Sequence, residues 1–178
     1  MLRFVTGNEG KVEEAREYLP EPVERVEYGY TEVQSDSLAE IAVAGARESY
    51  EAIGEPVFVD DAGLFVEGLA GFPGPYSAYV EDTLGVDRVW RLADRECEEP
   101  RRASFRGVVA FCDEQGAETF EGSVRGRLVA PRGEGGFGYD PIFEHNGRTL
   151  AEMSTGEKNA ISHRGRALAA FGDWLAER

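Results

Sequence analysis

RRASFRGVVAFCDEQGAETFEGSVRGRLV, residues 101–129, is the stretch on which the fold turns. Its arms, 101–113 and 118–129, carry valines and phenylalanines between polar residues, and Glu-Gln-Gly-Ala at 114–117 supplies a turn, so the segment reads as a β-hairpin. A hairpin pairs its strands antiparallel, so the sheet it joins is not purely parallel. Upstream, LRFV at 2–5 reads as a strand. NEGKVEEAREYL at 8–19 spaces Val12, Ala15 and Leu19 as a helix does, which leaves Thr6-Gly7-Asn8 as the turn. VERVEY at 23–28 alternates like a strand, and Ser37 to Ile53 reads as a helix opened by a Ser37/Glu40 capping box. VFVDDAGLFV at 57–66 reads as a buried strand that stops at its acids, GFPGPYSAYV at 71–80 as a Pro/Gly loop, and TLGVDRVWRLADR at 83–95 as a helix through Leu84, Val89 and Ala93. Downstream, APRGEGGFGYDP at 130–141 is a glycine-rich loop. Roughly the last 20 residues read as one helix with Ile161, Leu168, Phe171 and Leu175 on one face. Strands and helices mixed in this order indicate an α/β (mixed α+β) fold, a central mixed sheet with flanking helices. The length of 178 residues suits a single domain, 1–178.

Composition narrows the function. Against 19 Lys and Arg stand 34 Asp and Glu, a net charge of −15, which repels phosphate backbones and gives no basic stripe for nucleic acid. Such acidity self-repels at low ionic strength; it fits either a salt-rich cytoplasm or an ordinary acidic, arginine-rich enzyme. No apolar run approaches the ~20 residues of a membrane span, and MLRFVTGNEG lacks the basic start and apolar segment of a signal peptide, so the expected location is cytoplasmic. Cys97 and Cys112 are too sparse for a zinc site or a disulfide framework. Only Lys11 and Lys158 are lysines, which makes their positions informative.

Four segments can carry chemistry. Thr6 to Lys11, TGNEGK, sets peptide N–H groups, a glycine and a lysine at a helix start, an arrangement suited to phosphate. It is not a P-loop, because Val5 stands where a glycine is required and Val12 where Ser or Thr is required. A tight turn with Lys11 solvated is the plain alternative. In VDDAG, Asp60 and Asp61 bring carboxylates to a strand end where a hard cation could be held. In a regular strand the two would point to opposite faces, and a solvated turn is the plain alternative. Ala62 stands where an aspartyl-phosphate phosphatase places its second acid, which disfavours covalent phosphoryl chemistry. GEGGFGYDPIF matches GxGxxG formally at Gly133 to Gly138, yet Pro141 follows and no helix opens, so the dinucleotide context fails. What remains is a loop presenting Phe137, Tyr139 and Asp140, an aromatic face with a carboxylate that can accept from a heterocycle's N–H, or else a structural turn. Last, EKNAISHRGRAL at 157–168 gathers Lys158, His163 and Arg164. On one ideal helix Lys158 and His163 would not share a face, so they converge only on a ligand lying across the first turn.

In order, TGNxxK, Glu40, DDxG, FGYDP and KNxxSHR strongly resemble the inosine triphosphate pyrophosphatase family, the XTP/dITP diphosphatases that remove non-standard purine nucleotides. The resemblance runs from Thr6 to about Phe171 and takes in both lysines. It implies two lobes around a nucleotide cleft, a homodimer, and Mg²⁺-dependent hydrolysis of a nucleoside triphosphate to monophosphate and pyrophosphate. By position it implies that Thr6, Gly7, Asn8 and Lys11 hold the triphosphate, with Ala62 contributing its backbone. Glu40 and Asp61 would bind the metal, and Asp61 would be the general base with Asp60 as its supporting neighbour. Phe137 would stack on the purine within Gly138-Tyr139-Asp140, Asp140, His163 and Arg164 would read the 6-oxo base, and Lys158 would lie against the nucleotide. The chain departs from bacterial-type members, which follow the metal Glu with Asn and place a Lys five residues on, where this chain has Ile41 and Gly45. That leaves open which side chain screens the phosphates, an arginine being one candidate. Two other readings stay in play: a pyrophosphatase for modified pyrimidine nucleotides, which FGYDP and SHR disfavour, and a nucleotide sensor without turnover.

Overall fold

The computed structural model describes residues 1–178. In chain order the elements are β1 (Leu2–Val5), α1 (Glu9–Tyr18), β2 (Val23–Val26), α2 (Leu38–Ile53), β3 (Val57–Val66), β4 (Pro73–Gly74), α3 (Ser77–Leu84), α4 (Val86–Glu96), β5 (Arg102–Asp113), β6 (Gly116–Leu128), β7 (Phe143–His145), β8 (Arg148–Thr149), α5 (Thr155–Ile161) and α6 (His163–Glu177). The strands follow the order β2-β1-β3-β5-β6-β7-β8, with β4 paired to β3. β1 runs parallel to β2 and β3, whereas β3–β4, β6–β7 and β7–β8 are antiparallel, so the sheet is mixed as its hairpin requires.

The chain divides into two compact units, each built from separate segments: residues 1–61, 107–122 and 163–178 form the first, and 62–106 with 123–162 the second. The first unit's core is aromatic. Phe4 on β1 lies opposite Phe58 on β3 and stacks on it with ring centroids 4.3 Å apart, while Phe171 of α6 lies 5.3 Å from Phe58. Truncating a fully buried ring such as Phe171 would cost about 3–5 kcal/mol. The second unit's core joins Leu64 and Val66 of β3 to Val89 and Ala93 of α4, Val124 and Leu128 of β6, and Phe143 of β7.

Five local expectations are corrected. β3 does not stop at its acids but runs through Asp60 and Asp61, because counter-charges described below neutralise Asp60 inside the sheet. The Pro/Gly stretch at 71–80 is only partly a loop: β4 forms at Pro73–Gly74 and α3 opens at Ser77. α3 then ends at Gly85, whose φ of 84° a helix cannot accommodate, and α4 begins after it. The C-terminal stretch is two helices, since Ser162 adopts an extended ψ of 129° between α5 and α6, so the single-helix geometry does not relate Lys158 to His163. The start of α6 is set by its seat on β6: a Cβ at Gly122 would lie 2.0 Å from the His163 carbonyl oxygen. The capping box at α2 is half made. Ser37 accepts from the Glu40 N–H at 3.3 Å, but the Glu40 carboxylate accepts from the Ser35 hydroxyl at 2.7 Å, while the Ser37 N–H donates to that same Ser35 Oγ.

Candidate active site

In the first unit the turn after β1 presents Gly7 and Asn8 exposed to solvent. Asn8 is the N-cap of α1, its Oδ1 accepting from the Gly10 N–H at 2.9 Å and the Lys11 N–H at 3.4 Å, while its own N–H donates to Thr6 Oγ1 at 3.2 Å. The Asn8 amide oxygen thus takes the place a phosphate oxygen would have at this helix start, and its Nδ2 remains as a donor. Around Gly7 a Cβ would meet nothing within 4 Å, so a bulky anion can approach the turn.

Lys11 reaches from α1 to β3, where Nζ donates to Asp60 Oδ1 at 2.8 Å. Arg164, in the first turn of α6, donates from Nε to Asp60 Oδ2 at 2.7 Å and from Nη1 to Glu14 Oε2 at 3.0 Å. Asp60 is 8% exposed, and both of its oxygens are occupied. Burial alone would push its pKa up, but the charges and hydrogen bonds of Lys11 and Arg164 outweigh it and hold the carboxyl well below the ordinary range. Burial disfavours the charged Arg164 guanidinium in turn, and Asp60 and Glu14 more than compensate, so it stays charged.

Asp61, next along β3, is half-buried. His163 comes close to it across β5: a Cβ at Gly107 would stand 3.0 Å from His163 Cδ2 and 3.8 Å from the Asp61 carbonyl oxygen. Two glycines, Gly107 on β5 and Gly122 on β6, therefore make the room in which the start of α6 sits against the strands. The Glu40 carboxylate is exposed on the first turn of α2. Tyr30, from the loop before α2, feels both acids of β3: its hydroxyl is pushed well above the ordinary phenol range by burial first and then by Asp60, Asp61 and Glu32.

In the second unit, Phe137 is 79% exposed, a whole aromatic face left in water. Lys158 Nζ stands 4.5 Å above that ring and donates to Asp140 Oδ2 at 2.5 Å. The Phe137 N–H donates to the same Oδ2 at 2.9 Å, so Asp140, 5% exposed, fixes the loop and the lysine together while Oδ1 keeps its accepting capacity. Gly136 makes this turn possible, having a φ of 75° and no room for a Cβ, which would fall 2.2 Å from Asp140 Oδ2. Gly138, with a φ of 60°, faces the Glu81 carboxylate. Tyr139 is buried, and its hydroxyl donates to the Ser77 carbonyl at 2.8 Å, so only its backbone remains for a ligand. A complete capping box at Ser154 and Glu157 starts α5, the helix that carries Lys158. Ala62, following Asp61, is half-buried.

No group of three or more His, Cys, Asp and Glu side chains converges as a ready-made metal cage. With Asp60 fully paired, Glu40 and Asp61 are the carboxylates suited to a hard cation. Sequence motifs did not point to Glu14, Tyr30, Gly107 or Gly122. Gly107 and Gly122 alone carried a signal, each a glycine inside a strand pattern, which marks close approach of another group.

The Ham1 family model matches residues 2–174. The dITP/XTP pyrophosphatase of Methanopyrus kandleri is 52% identical over 96% of this chain and 94% of its own length. That of Thermococcus kodakarensis is 50% identical over 99% and 97%. Among solved structures, a HAM1 protein from Coxiella burnetii superposes with a TM-score of 0.89 at 30% identity, covering 99% of this chain and 98% of that one. A similarity that spans almost the whole chain in both sequence and structure places it in one family: the chain belongs to the Ham1 family.

Proposed function

We propose that the protein hydrolyses non-canonical purine nucleoside triphosphates, of the dITP, XTP and ITP class, to the monophosphate and pyrophosphate. The observation that carries this reading is the paired acids of β3: Asp60 is taken up by Lys11 and Arg164, and Asp61, the next residue along the strand, is half-buried. A carboxylate so placed can prepare a water. The relatives' names support the choice of substrate.

In the proposed reaction Asp61 accepts a proton from a water. The water oxygen bonds to the α-phosphorus, and the bond from that phosphorus to the α–β bridging oxygen breaks, so that pyrophosphate leaves. Thr6, Gly7, Asn8 and Lys11 bind the phosphates. The first unit sets Lys11 and Arg164 against Asp60, Glu14, Asp61 and Glu40, a surplus of negative charge for a polyanion to meet. Magnesium held by Glu40 and Asp61 would neutralise phosphate charge there. Phe137 offers the base a stacking face, and Lys158 and Asp140 stand beside it as donor and acceptor. A 6-oxo purine shows a donor N1–H that the Asp140 carboxylate can accept and an acceptor O6 suited to a donor such as the His163 imidazole. No helix is long and apolar enough to cross a membrane; a cytoplasmic homodimer is the setting we propose. Asp61→Asn tests the reading: folding should persist while turnover falls by about 10² to 10⁴, the worth of a general base. Near-normal turnover would remove Asp61 from the mechanism.

A further inference from the structure

The loop before α2 is fastened to that helix at two points. The Thr31 N–H donates to both oxygens of Glu48, at 3.2 and 3.1 Å, and the Ser35 hydroxyl donates to Glu40 at 2.7 Å. Next to the Thr31 anchor the Tyr30 ring lies on the helix backbone where Gly45 has no side chain. A Cβ at Gly45 would fall 2.5 Å from Cε2, 2.7 Å from Cδ2 and 3.0 Å from Cζ of that ring, closer than real contacts allow. Gly45 is buried and Tyr30 half-buried, so the ring has a fixed seat rather than a free swing.

The seat brings the hydroxyl within the field of Asp60 and Asp61. Both Asp60 oxygens already accept from Lys11 and Arg164. A phenol is an uncharged donor, and here it lies in a place where carboxylates predominate. The acceptor chemistry that Lys11 and the α1 turn are proposed to receive is phosphate oxygen. We propose that Tyr30, seated on Gly45, is a phosphate-binding residue of this site, donating its hydroxyl proton in a hydrogen bond to a non-bridging oxygen of the bound triphosphate. This rests on the proposed reaction, and it gives Gly45 a purpose: any side chain there would unseat the ring.

Tyr30→Phe keeps the ring and removes only the donor. Binding of two probes, inorganic pyrophosphate and deoxyinosine, is measured by calorimetry with magnesium present, alongside the melting temperature. We expect the melting temperature and deoxyinosine affinity to hold while pyrophosphate affinity falls about tenfold, the weight of one hydrogen bond to a charged acceptor. Gly45→Ala should weaken pyrophosphate binding to a similar degree, and the double variant should bind no worse than the weaker single one. Unchanged pyrophosphate affinity in Tyr30→Phe would overturn the proposal while leaving the reaction standing. An unaltered protein that bound neither pyrophosphate nor dITP would overturn both.

Discussion

Arg164 and Asp60, 104 residues apart in sequence, meet in a 2.7 Å hydrogen bond on the carboxylate that Lys11 also holds. The Arg164 side chain is 17% exposed, and a second bond runs to Glu14. This commitment favours a positioning role over direct reading of the base. Arg164→Ala would leave Asp60 and Glu14 without their shared partner at a cost of about 3–5 kcal/mol. Turnover of ITP and of ATP should then fall by the same factor. Steady-state rates for both nucleotides check this, and a selective loss on ITP would return Arg164 to base reading.

Asp60→Asn addresses the same cluster through pH. The Asp60 carboxyl titrates below its unfolded value, so its stabilisation is complete above about pH 4 and is lost as pH falls from there through the depressed folded value. Denaturant unfolding should therefore show the variant much less stable at pH 7, with the gap to the unaltered protein closing under acid. A gap independent of pH would mean that the charge of Asp60 is not what holds Lys11 and Arg164.

Phe137→Ala removes an exposed ring that contributes little to the core. Stability should stay within about 0.5 kcal/mol. Affinity for the nucleotide should drop by the ~1–3 kcal/mol of one base stacked on an aromatic side chain. Calorimetric titration with deoxyinosine reads this directly, and unchanged affinity would place the base elsewhere.

The sheet and most helices were legible in local pattern. The hairpin at 101–129 announced mixed pairing, α1 and α4 followed apolar spacing, and α2 followed its Ser37 cap. Two of the misreadings share one cause, contacts distant in sequence that override local preference. Asp60 and Asp61 look like the end of a strand until Lys11 and Arg164 arrive to neutralise Asp60. Ser162 looks helical until β6 fixes where α6 begins. Tyr139 lies inside FGYDP, and Ser77, 62 residues away, takes its hydroxyl, so a ligand role for it would rest on its backbone. Motif spacing singled out Lys11, Asp61 and Asp140. It was silent on Tyr30 and Glu14, which enter only through folding.

The most direct measurement is the identity of the products when the purified protein meets ITP, XTP or dITP with magnesium. Attack at the α-phosphorus predicts the nucleoside monophosphate and pyrophosphate in equal amounts, with the reaction lost when magnesium is chelated. Orthophosphate and the nucleoside diphosphate as main products would place attack at the terminal phosphorus and contradict the account.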